Sequence, residues 1–280
     1  ILEISGAIEF IAKILEPLMS LVGLTPELGL IFVTAFVINI YASLVLFVNL
    51  VPVIDVSVAQ ITILTTMILI AHNLPIESTI SKAAGVSFIY TVLLRLICAF
   101  ILGFILKLIY FNFDLLTETF KTFFTIKPPP DGFWPWLLDQ SVTLIYIFFI
   151  VCTMTVVLEL LRMVGIEKIV EKIFMPPLRL FGIQKEAMNI IIVGMTIGLQ
   201  FGGGMLIKEV KTGRIDKQSI FLSVSMLNLL HALIEDTILM ILVGGHISGV
   251  LFARIIFSLI MSYFIFMIYK KYSKSNLSIQ

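Results

Sequence analysis

Charged residues are scarce in this chain of 280 residues. Asp, Glu, Lys and Arg together make up 13% of it, about half of the roughly 25% that is usual in a soluble domain. Hydrophobic residues make up 59%, and the mean hydropathy is +1.11. Several apolar runs of about 20 residues are long enough to cross a bilayer as helices. This composition excludes an ordinary soluble domain and predicts an all-α polytopic membrane protein whose first partner is the lipid bilayer.

Cysteines are also scarce, and the two that are present, Cys98 and Cys152, lie in apolar segments without metal or redox spacing. The sequence has no nucleophile–base motif and no GxGxxG pattern that follows a strand. Gly202, Gly203 and Gly204 lack the Lys-Ser/Thr pair that completes a phosphate-binding loop. We therefore expect neither an enzyme nor a bound cofactor, and no nucleic-acid partner.

Polar residues are rare inside the apolar runs, and they concentrate in two short stretches. Residues 228–237 read NLLHALIEDT, and residues 72–79 read HNLPIEST. A charged residue at the centre of a membrane helix costs roughly 2.5–3.5 kcal/mol on insertion scales. Ionisable residues at this depth are therefore candidates for a functional site.

These two stretches belong to an internal repeat with an offset of 159 residues and no gap. Chance matching of Leu-rich and Ile-rich helices does not explain why His, Arg, Gly and Pro residues recur at this offset. The chain is therefore predicted to contain two copies of one structural unit. The matched pairs include His72 with His231, Arg95 with Arg254, Gly23 with Gly182, Pro17 with Pro176 and Tyr110 with Tyr269.

Each copy contains an apolar segment that is interrupted near its middle, at residues 27–48 and 186–207. The interruptions read NIYAS from Asn39 and GLQFGGG from Gly198. Consecutive glycines form a poor helix, and irregular backbone at membrane depth is tolerated only where protein buries it or where it lines a cavity. The pattern predicts broken helices or re-entrant hairpins with tips near Tyr41 and Gln200.

The repeats define the predicted domain organisation. The first repeat covers residues 1–111 and the second covers residues 165–280. Residues 112–140 are rich in Pro and Trp and are predicted to form an interfacial linker. Residues 141–164 are predicted to form a connecting transmembrane helix. Because that helix has no counterpart in the first repeat, we expect a further transmembrane helix before Ile1 in the natural protein.

Positive charges are distributed unequally when the interrupted segments are read as hairpins. Thirteen Lys and Arg residues then fall on one side of the membrane and four on the other, and the richer side is cytoplasmic by the positive-inside rule. In this interpretation the chain crosses the membrane three times between equivalent residues of the two repeats, so the second repeat is inverted relative to the first. Inverted repeats with broken helices are a transporter architecture. The sequence thus predicts a multi-pass protein of the cell membrane with a cytoplasmic C-terminus.

The polar residues of the two stretches and of the hairpin tips are the candidates for substrate contact. His231 and Glu235 fall at helical spacing on the same face as Asn228, where they can form a hydrogen bond along the helix. Arg95 and Arg254 are expected to be structural charge partners. The spacing of His231 and Glu235 is permitted for metal ligands, but no second ligand cluster accompanies it in the sequence, so no metal is assigned. The substrate-binding candidates are Asn39, Tyr41, His72, Asn73, Glu77, Gln200, Gly202, Gly203, Asn228, His231, Glu235 and Asp236.

Three motifs together resemble a known family. GGGMLIKEVKTG at residues 202–213, HALIEDTIL at 231–239 and AHNLPIEST at 71–79 resemble the nucleoside recognition, or Gate, domain of bacterial and archaeal membrane proteins, which include spore-maturation-type proteins. The glycine-rich segment is more distantly similar to the gate segments of the ferrous iron transporter B and to the hairpins of concentrative nucleoside transporters. The resemblance covers both repeats and implies recognition of a nucleoside-like solute.

The leading hypothesis is a transporter that moves a small polar solute or an ion through a midplane site by alternating access. Protonation of His231 or Glu235 would then couple transport to protons. Two alternatives stay open at this point. The first is a non-transporting membrane scaffold or signalling protein with buried structural charge pairs, and the second is a metal-ion channel. The sequence also leaves open whether the protein forms a homo-oligomer.

Overall fold

The computed structural model describes residues 15–121 and 132–277, and the regular elements in these ranges are helices. A single antiparallel bridge joins Ser57 and Thr119 within them. The predicted all-α class is therefore confirmed. The helices are α1 (Leu15–Leu21), α2 (Pro26–Val37), α3 (Ile40–Leu50), α4 (Val58–Ile70), α5 (Leu74–Ala83), α6 (Phe88–Asn112), α7 (Phe133–Met163), α8 (Ile166–Leu180), α9 (Lys185–Ile197), α10 (Leu199–Thr212), α11 (Lys217–Leu230), α12 (Glu235–Leu242) and α13 (Arg254–Leu277), the last preceded by a π-helical turn (Ser248–Ala253).

Five helical segments among the described residues are long and apolar enough to cross a membrane, which confirms a polytopic membrane protein. Two of them are broken spans, formed by α4 with α5 and by α11 with α12. In their most apolar windows 83% and 78% of the residues are buried, against at most 33% in the other three spans. The two broken spans therefore form the centre of the molecule, and α6, α7 and α13 present apolar side chains to the surroundings.

The offset of 159 residues recurs in the helix boundaries. α2 and α9 begin at Pro26 and Lys185, and α4 and α11 begin at Val58 and Lys217. The N-termini of α4 and α11 are capped in the same way, by Ser57 and by its equivalent Asp216, whose side-chain oxygens accept backbone N–H groups of the first turn. Each element from α1 to α6 has a counterpart from α8 to α13, and α7 lies between the two sets.

The interrupted segments form helical hairpins. α2 and α3 contain 12 and 11 residues, and α9 and α10 contain 13 and 14. At 1.5 Å per residue each helix is about 16–21 Å long, which is too short for a hydrocarbon core of about 30 Å. The two members of each pair pack against each other. If the hairpins enter and leave on one side, three spans separate equivalent points of the two repeats, and an odd number of crossings inverts the second copy.

The three consecutive glycines do not interrupt the second hairpin, contrary to the prediction. α10 runs through them, and the break lies at Gly198, which has a φ of 112°. Gly202 instead lies against the backbone of Gly194 in α9, and Gly203 lies against Ile80 in α5. The low helix propensity of these glycines is therefore overridden by packing that needs the absence of a side chain.

The connecting helix α7 begins earlier than predicted. It starts at Phe133 rather than at residue 141, so it includes Trp134 and Trp136. Pro135 lies in its first turn, where a missing backbone N–H is tolerated. Both tryptophans are exposed, which suits side chains at the level of the lipid headgroups. The predicted linker therefore ends at residue 132, and its residues 122–131 lie outside the described residues.

Candidate functional site

Each of the two central spans is broken at a histidine. The break between α4 and α5 contains His72, and the break between α11 and α12 contains His231. The next residue is left-handed in both copies, with φ of 52° at Asn73 and 44° at Ala232. Asparagine adopts this conformation readily, whereas a left-handed conformation costs alanine roughly 1–2 kcal/mol. The surroundings must therefore stabilise the second break.

The hairpin tips provide that stabilisation. The backbone N–H of Ala232 donates to the carbonyl of Gly194 at 3.2 Å, and the N–H of Asn73 donates to the carbonyl of Ala35 at 2.9 Å. These two hydrogen bonds are equivalent under the 159-residue offset. In the first copy Pro75 adds a local reason for the break, because its ring and missing N–H prevent α4 from continuing. Each hairpin tip therefore lies against the break of its own repeat.

The polar residues of the second broken span do not share one helical face, contrary to the prediction. His231 ends α11 in an extended conformation with ψ of 167°, so Glu235 starts a new helix instead of lying one turn beyond it. Glu235 is half-buried and accepts a hydrogen bond from the hydroxyl of Tyr41 at 3.4 Å. The predicted pair of His231 and Glu235 is therefore wrong, and the side-chain partners of His231 come from the other repeat.

The two histidines meet at the centre of the molecule. Nε2 of His72 lies 3.2 Å from Nε2 of His231, and the side chains are almost entirely buried. Nδ1 of His72 lies 2.9 Å from the carbonyl of Ile68, and Nδ1 of His231 lies 2.8 Å from the carbonyl of Leu227. Because a carbonyl only accepts, each Nδ1 carries the proton. When both imidazoles are neutral, the two Nε2 atoms are therefore left with lone pairs that face each other.

Two carboxylates complete this cluster. Oε1 of Glu77 lies 3.4 Å from Nε2 of His231 and 3.7 Å from Nε2 of His72. Oδ2 of Asp236 lies 3.5 Å from Nε2 of His72. Glu77 and Asp236 are equivalent under the offset, as are the two histidines. Each carboxylate therefore approaches the histidine of the opposite repeat, and this reciprocity indicates a two-fold axis between the imidazole rings.

Two buried arginines bind the ends of the broken helices. Nε of Arg95 donates to the carbonyl of Ile70 at 2.6 Å, and Nη2 of Arg254 donates to the carbonyl of His231 at 2.7 Å. Both arginines are 0% exposed. Each positive charge lies at a helix C-terminus, where the helix dipole favours a cation. This arrangement gives both residues a structural role at the breaks.

The two repeats differ in how their arginines are compensated. Nη1 of Arg95 forms an ion pair with Oε2 of Glu77. Asp236 has a side chain shorter by one methylene, and among the ion pairs of the described residues it contacts His72 and not Arg254. Nε and Nη1 of Arg254 and Oδ2 of Asp236 have no hydrogen-bond partner in the described part of the chain. The cluster is thus symmetric in its histidines and asymmetric in its charges.

The remaining candidates have other positions. The side chain of Asn39 caps α3 by accepting the N–H of Ala42 at 2.8 Å, and Gln200 is exposed. Asn73 is buried, and its side-chain oxygen has no partner among the described residues. Asn228 donates to the hydroxyl of Ser81 at 2.9 Å and so joins the two repeats. Gly202 and Gly203 serve helix packing, as described above.

Sequence reasoning missed three polar groups in this region. Ser78 and Thr237 are equivalent under the offset, and both are buried with hydroxyls that have no partner in the described ranges. The offset of 159 residues aligns Ser78 with Thr237, so the sequence contained a signal for this pair. Ser81, which binds Asn228, has no sequence signal because its importance depends on how two helices cross. The structure therefore brings together His72, Glu77, His231 and Asp236, with Tyr41 and Glu235 as a separate pair.

Comparison with known proteins supports the membrane assignment. The chain is 26% identical over 280 residues to the uncharacterized membrane protein YvoD of Bacillus subtilis (strain 168). This similarity covers 98% of the chain and 88% of that relative. No protein-family model and no solved structure matches the chain. The resemblance to the nucleoside recognition domain therefore stays a prediction.

Proposed function

We propose that this protein is a transporter, without catalytic activity, that moves a small polar solute or an ion through a site between its two repeats. The observation that carries this proposal is the pair of Nε2 atoms 3.2 Å apart. Each belongs to a break in a central span, and each break lies against a hairpin tip. Broken helices and hairpins that meet near the membrane midplane form binding sites in inverted-repeat transporters.

The symmetry supports alternating access as the mechanism. Both histidines and both nearby carboxylates are at least nine-tenths buried, so the cluster is closed to both sides in this conformation. A rocking movement of one repeat against the other would open the cluster to one side and then to the other. Since the repeats are equivalent under one offset, two such openings would have similar shapes and opposite directions.

The spacing of the cluster favours an ion over a nucleoside. Nε2 of His72, Nε2 of His231 and Oε1 of Glu77 lie 3.2 to 3.7 Å from one another, and Oδ2 of Asp236 lies 3.5 Å from Nε2 of His72. This space fits a proton or a single ion, whereas a nucleoside needs a pocket of some hundreds of Å³. We therefore propose an inorganic cation as the substrate class to test first, with nucleosides second.

Uptake into proteoliposomes tests this proposal. We expect the wild-type protein to transport at least one member of a panel of cations, nucleosides and organic anions, and His72→Ala and His231→Ala each to lower the rate at least about ten-fold, because each removes half of the central pair. His246→Ala is the matched control, since His246 is exposed and contacts Ser248 away from the cluster. If folded protein takes up none of the solutes in the panel, the proposed transport function is wrong.

A membrane scaffold is the competing function, and the buried ion pair of Arg95 with Glu77 favours it. This pair connects α6 to the first turn of α5, directly after the break, as a structural clamp would. A scaffold predicts that His72→Ala and His231→Ala lower the melting temperature without changing any flux or ligand response. The same variants therefore separate the two functions.

The proposed orientation places the C-terminus in the cytoplasm of a cell. Asp55 and Arg214 are equivalent under the offset, and both are exposed in loops before a central span. In a background without Cys98 and Cys152 we expect Asp55→Cys to react with a membrane-impermeant thiol reagent added to intact cells. Arg214→Cys should react only after the membrane is opened. Equal reactivity of both cysteines in intact cells would show parallel rather than inverted repeats.

A further inference from the structure

We propose that the cluster of His72, His231 and Glu77, with Asp236, binds a divalent first-row transition-metal ion such as Zn²⁺ or Co²⁺. The claim that this ion is transported rests on the proposed function, whereas the claim that it binds rests on the geometry alone. Nε2 of each histidine and Oε1 of Glu77 form a triangle with sides of 3.2, 3.4 and 3.7 Å. Ligand atoms at 2.0–2.2 Å from a tetrahedral metal lie about 3.3–3.6 Å apart. The triangle therefore has the size of one face of a tetrahedral site.

The orientation of the histidines supports a metal more directly than their proximity does. Two neutral imidazoles whose Nδ1–H groups donate to carbonyls present two lone pairs to each other. These lone pairs cannot form a hydrogen bond with each other, so their contact at 3.2 Å needs a positive charge between them. In metal sites the second imidazole nitrogen of a ligand histidine donates to a carbonyl or a carboxylate. Both histidines have that arrangement.

The carboxylates provide the rest of the ligand set. Oε1 of Glu77 faces the histidines while its other oxygen is held by Arg95, so the carboxylate is fixed as a ligand through one oxygen. Oδ2 of Asp236 lies 3.5 Å from Nε2 of His72 and lacks a hydrogen-bond partner among the described residues. Among the described residues, the ligand atoms that all lie within 4.8 Å of one another belong to His72, Glu77 and His231, so Asp236 would have to move towards them to act as the fourth ligand. Two nitrogens and two oxygens suit Zn²⁺ and its neighbours in the first row.

The charges and the ligand atoms of the cluster determine which cations bind and how tightly they bind. The cluster and its surroundings contain two carboxylates, Glu77 and Asp236, and two buried arginines, Arg95 and Arg254, so little net negative charge attracts a cation. Ca²⁺ and Mg²⁺ prefer oxygen ligands, whereas the closest pair of ligand atoms in the cluster is two imidazole nitrogens. Binding of a transition metal thus depends on the imidazole nitrogens. Moderate affinity is the expected result, and it suits an ion that must also leave the site.

Titration of the full chain in detergent with Co²⁺, after treatment with a chelator, tests the proposal. We expect one Co²⁺ per chain with the intense visible absorption of tetrahedral coordination, and displacement by Zn²⁺. His72→Ala and His231→Ala should each weaken binding at least about ten-fold, and Asp236→Asn should weaken it less. His246→Ala should bind like the wild type. A melting curve for each variant shows that it is folded, and His72→Gln replaces His72→Ala if the latter does not fold.

Two results would overturn the metal site. The first is folded wild-type protein that gives no tetrahedral signal at millimolar Co²⁺, which would leave a proton shared between the imidazoles as the charge between them. The second is unchanged binding in both alanine variants, which would place the metal elsewhere. Uptake of radioactive Zn²⁺ into proteoliposomes is measured separately. Binding without uptake would disprove transport and keep the site, whereas uptake of another solute without binding would disprove the site and keep transport.

Discussion

The Glu77→Gln variant will unfold at a clearly lower temperature than the wild-type protein in detergent. Gln keeps the size of the side chain, so no cavity is created, but it removes the negative charge that pairs with Arg95. Arg95 is 0% exposed, and its charge would be left buried without compensation. Removing one partner of a buried ion pair typically costs about 3–5 kcal/mol. Thermal unfolding followed by the circular dichroism of the helices measures the effect.

The repeat supplies a matched control for this experiment. Asp236 is the equivalent of Glu77, yet among the described ion pairs it contacts His72 rather than an arginine. We therefore expect Asp236→Asn to change the unfolding temperature much less than Glu77→Gln does. Equal losses in the two variants would mean that Asp236 compensates Arg254 in the membrane as Glu77 compensates Arg95, and the asymmetry of the cluster would then be wrong.

The Gly202→Ala variant will destabilise the protein, whereas Gly204→Ala will leave it unchanged or stabilise it. A Cβ atom on Gly202 would lie 2.6 Å from Cα of Gly194 and 3.3 Å from the carbonyl oxygen of Ile190. These are backbone atoms of α9, so they cannot move aside without opening the hairpin. Forcing extra volume into a packed contact costs about 1–3 kcal/mol or more. A Cβ on Gly204 meets nothing within 4 Å, and alanine is the better helix former by about 1 kcal/mol.

The same pair of variants tests whether the hairpin supports the cluster. The carbonyl of Gly194 accepts the N–H of Ala232, so opening the hairpin would release the break beside His231. Gly202→Ala should therefore also weaken Co²⁺ binding, while Gly204→Ala should not. If both alanine variants had the same stability, the close approach of α9 and α10 would not exist in the membrane.

The spans and the repeat could be predicted from the sequence because both depend on local information. Apolar runs identify membrane helices by transfer energy alone, and an ungapped offset shows duplication without any structure. The contact between His72 and His231 was not predicted, because helical periodicity describes faces of one helix and not the points where two helices cross. The offset nevertheless indicated this contact, because residues that lie near a two-fold axis contact their own equivalents in the other repeat.

Two predictions failed for identifiable physical reasons. The helical spacing of Asn228, His231 and Glu235 predicts one continuous helix, but the left-handed Ala232 that breaks it is maintained by tertiary hydrogen bonds. The three glycines were read as a break because of their low helix propensity. The actual role of Gly202 is to allow close packing against Gly194. Gly194 lies on the other helix of the hairpin, and no local sequence pattern pairs the two glycines.

The reciprocal contacts have a consequence for how such a chain could arise. One repeat alone carries a single imidazole and a single carboxylate of the cluster, so it cannot form the cluster by itself. Two identical copies inserted in opposite orientations would form it, with each histidine meeting its own equivalent in the other copy. The contact of His72 with His231 is therefore the interface that an ancestral antiparallel homodimer would have used before gene duplication and fusion. The helix α7 supplies the crossing by which the single chain enters the second copy from the opposite side.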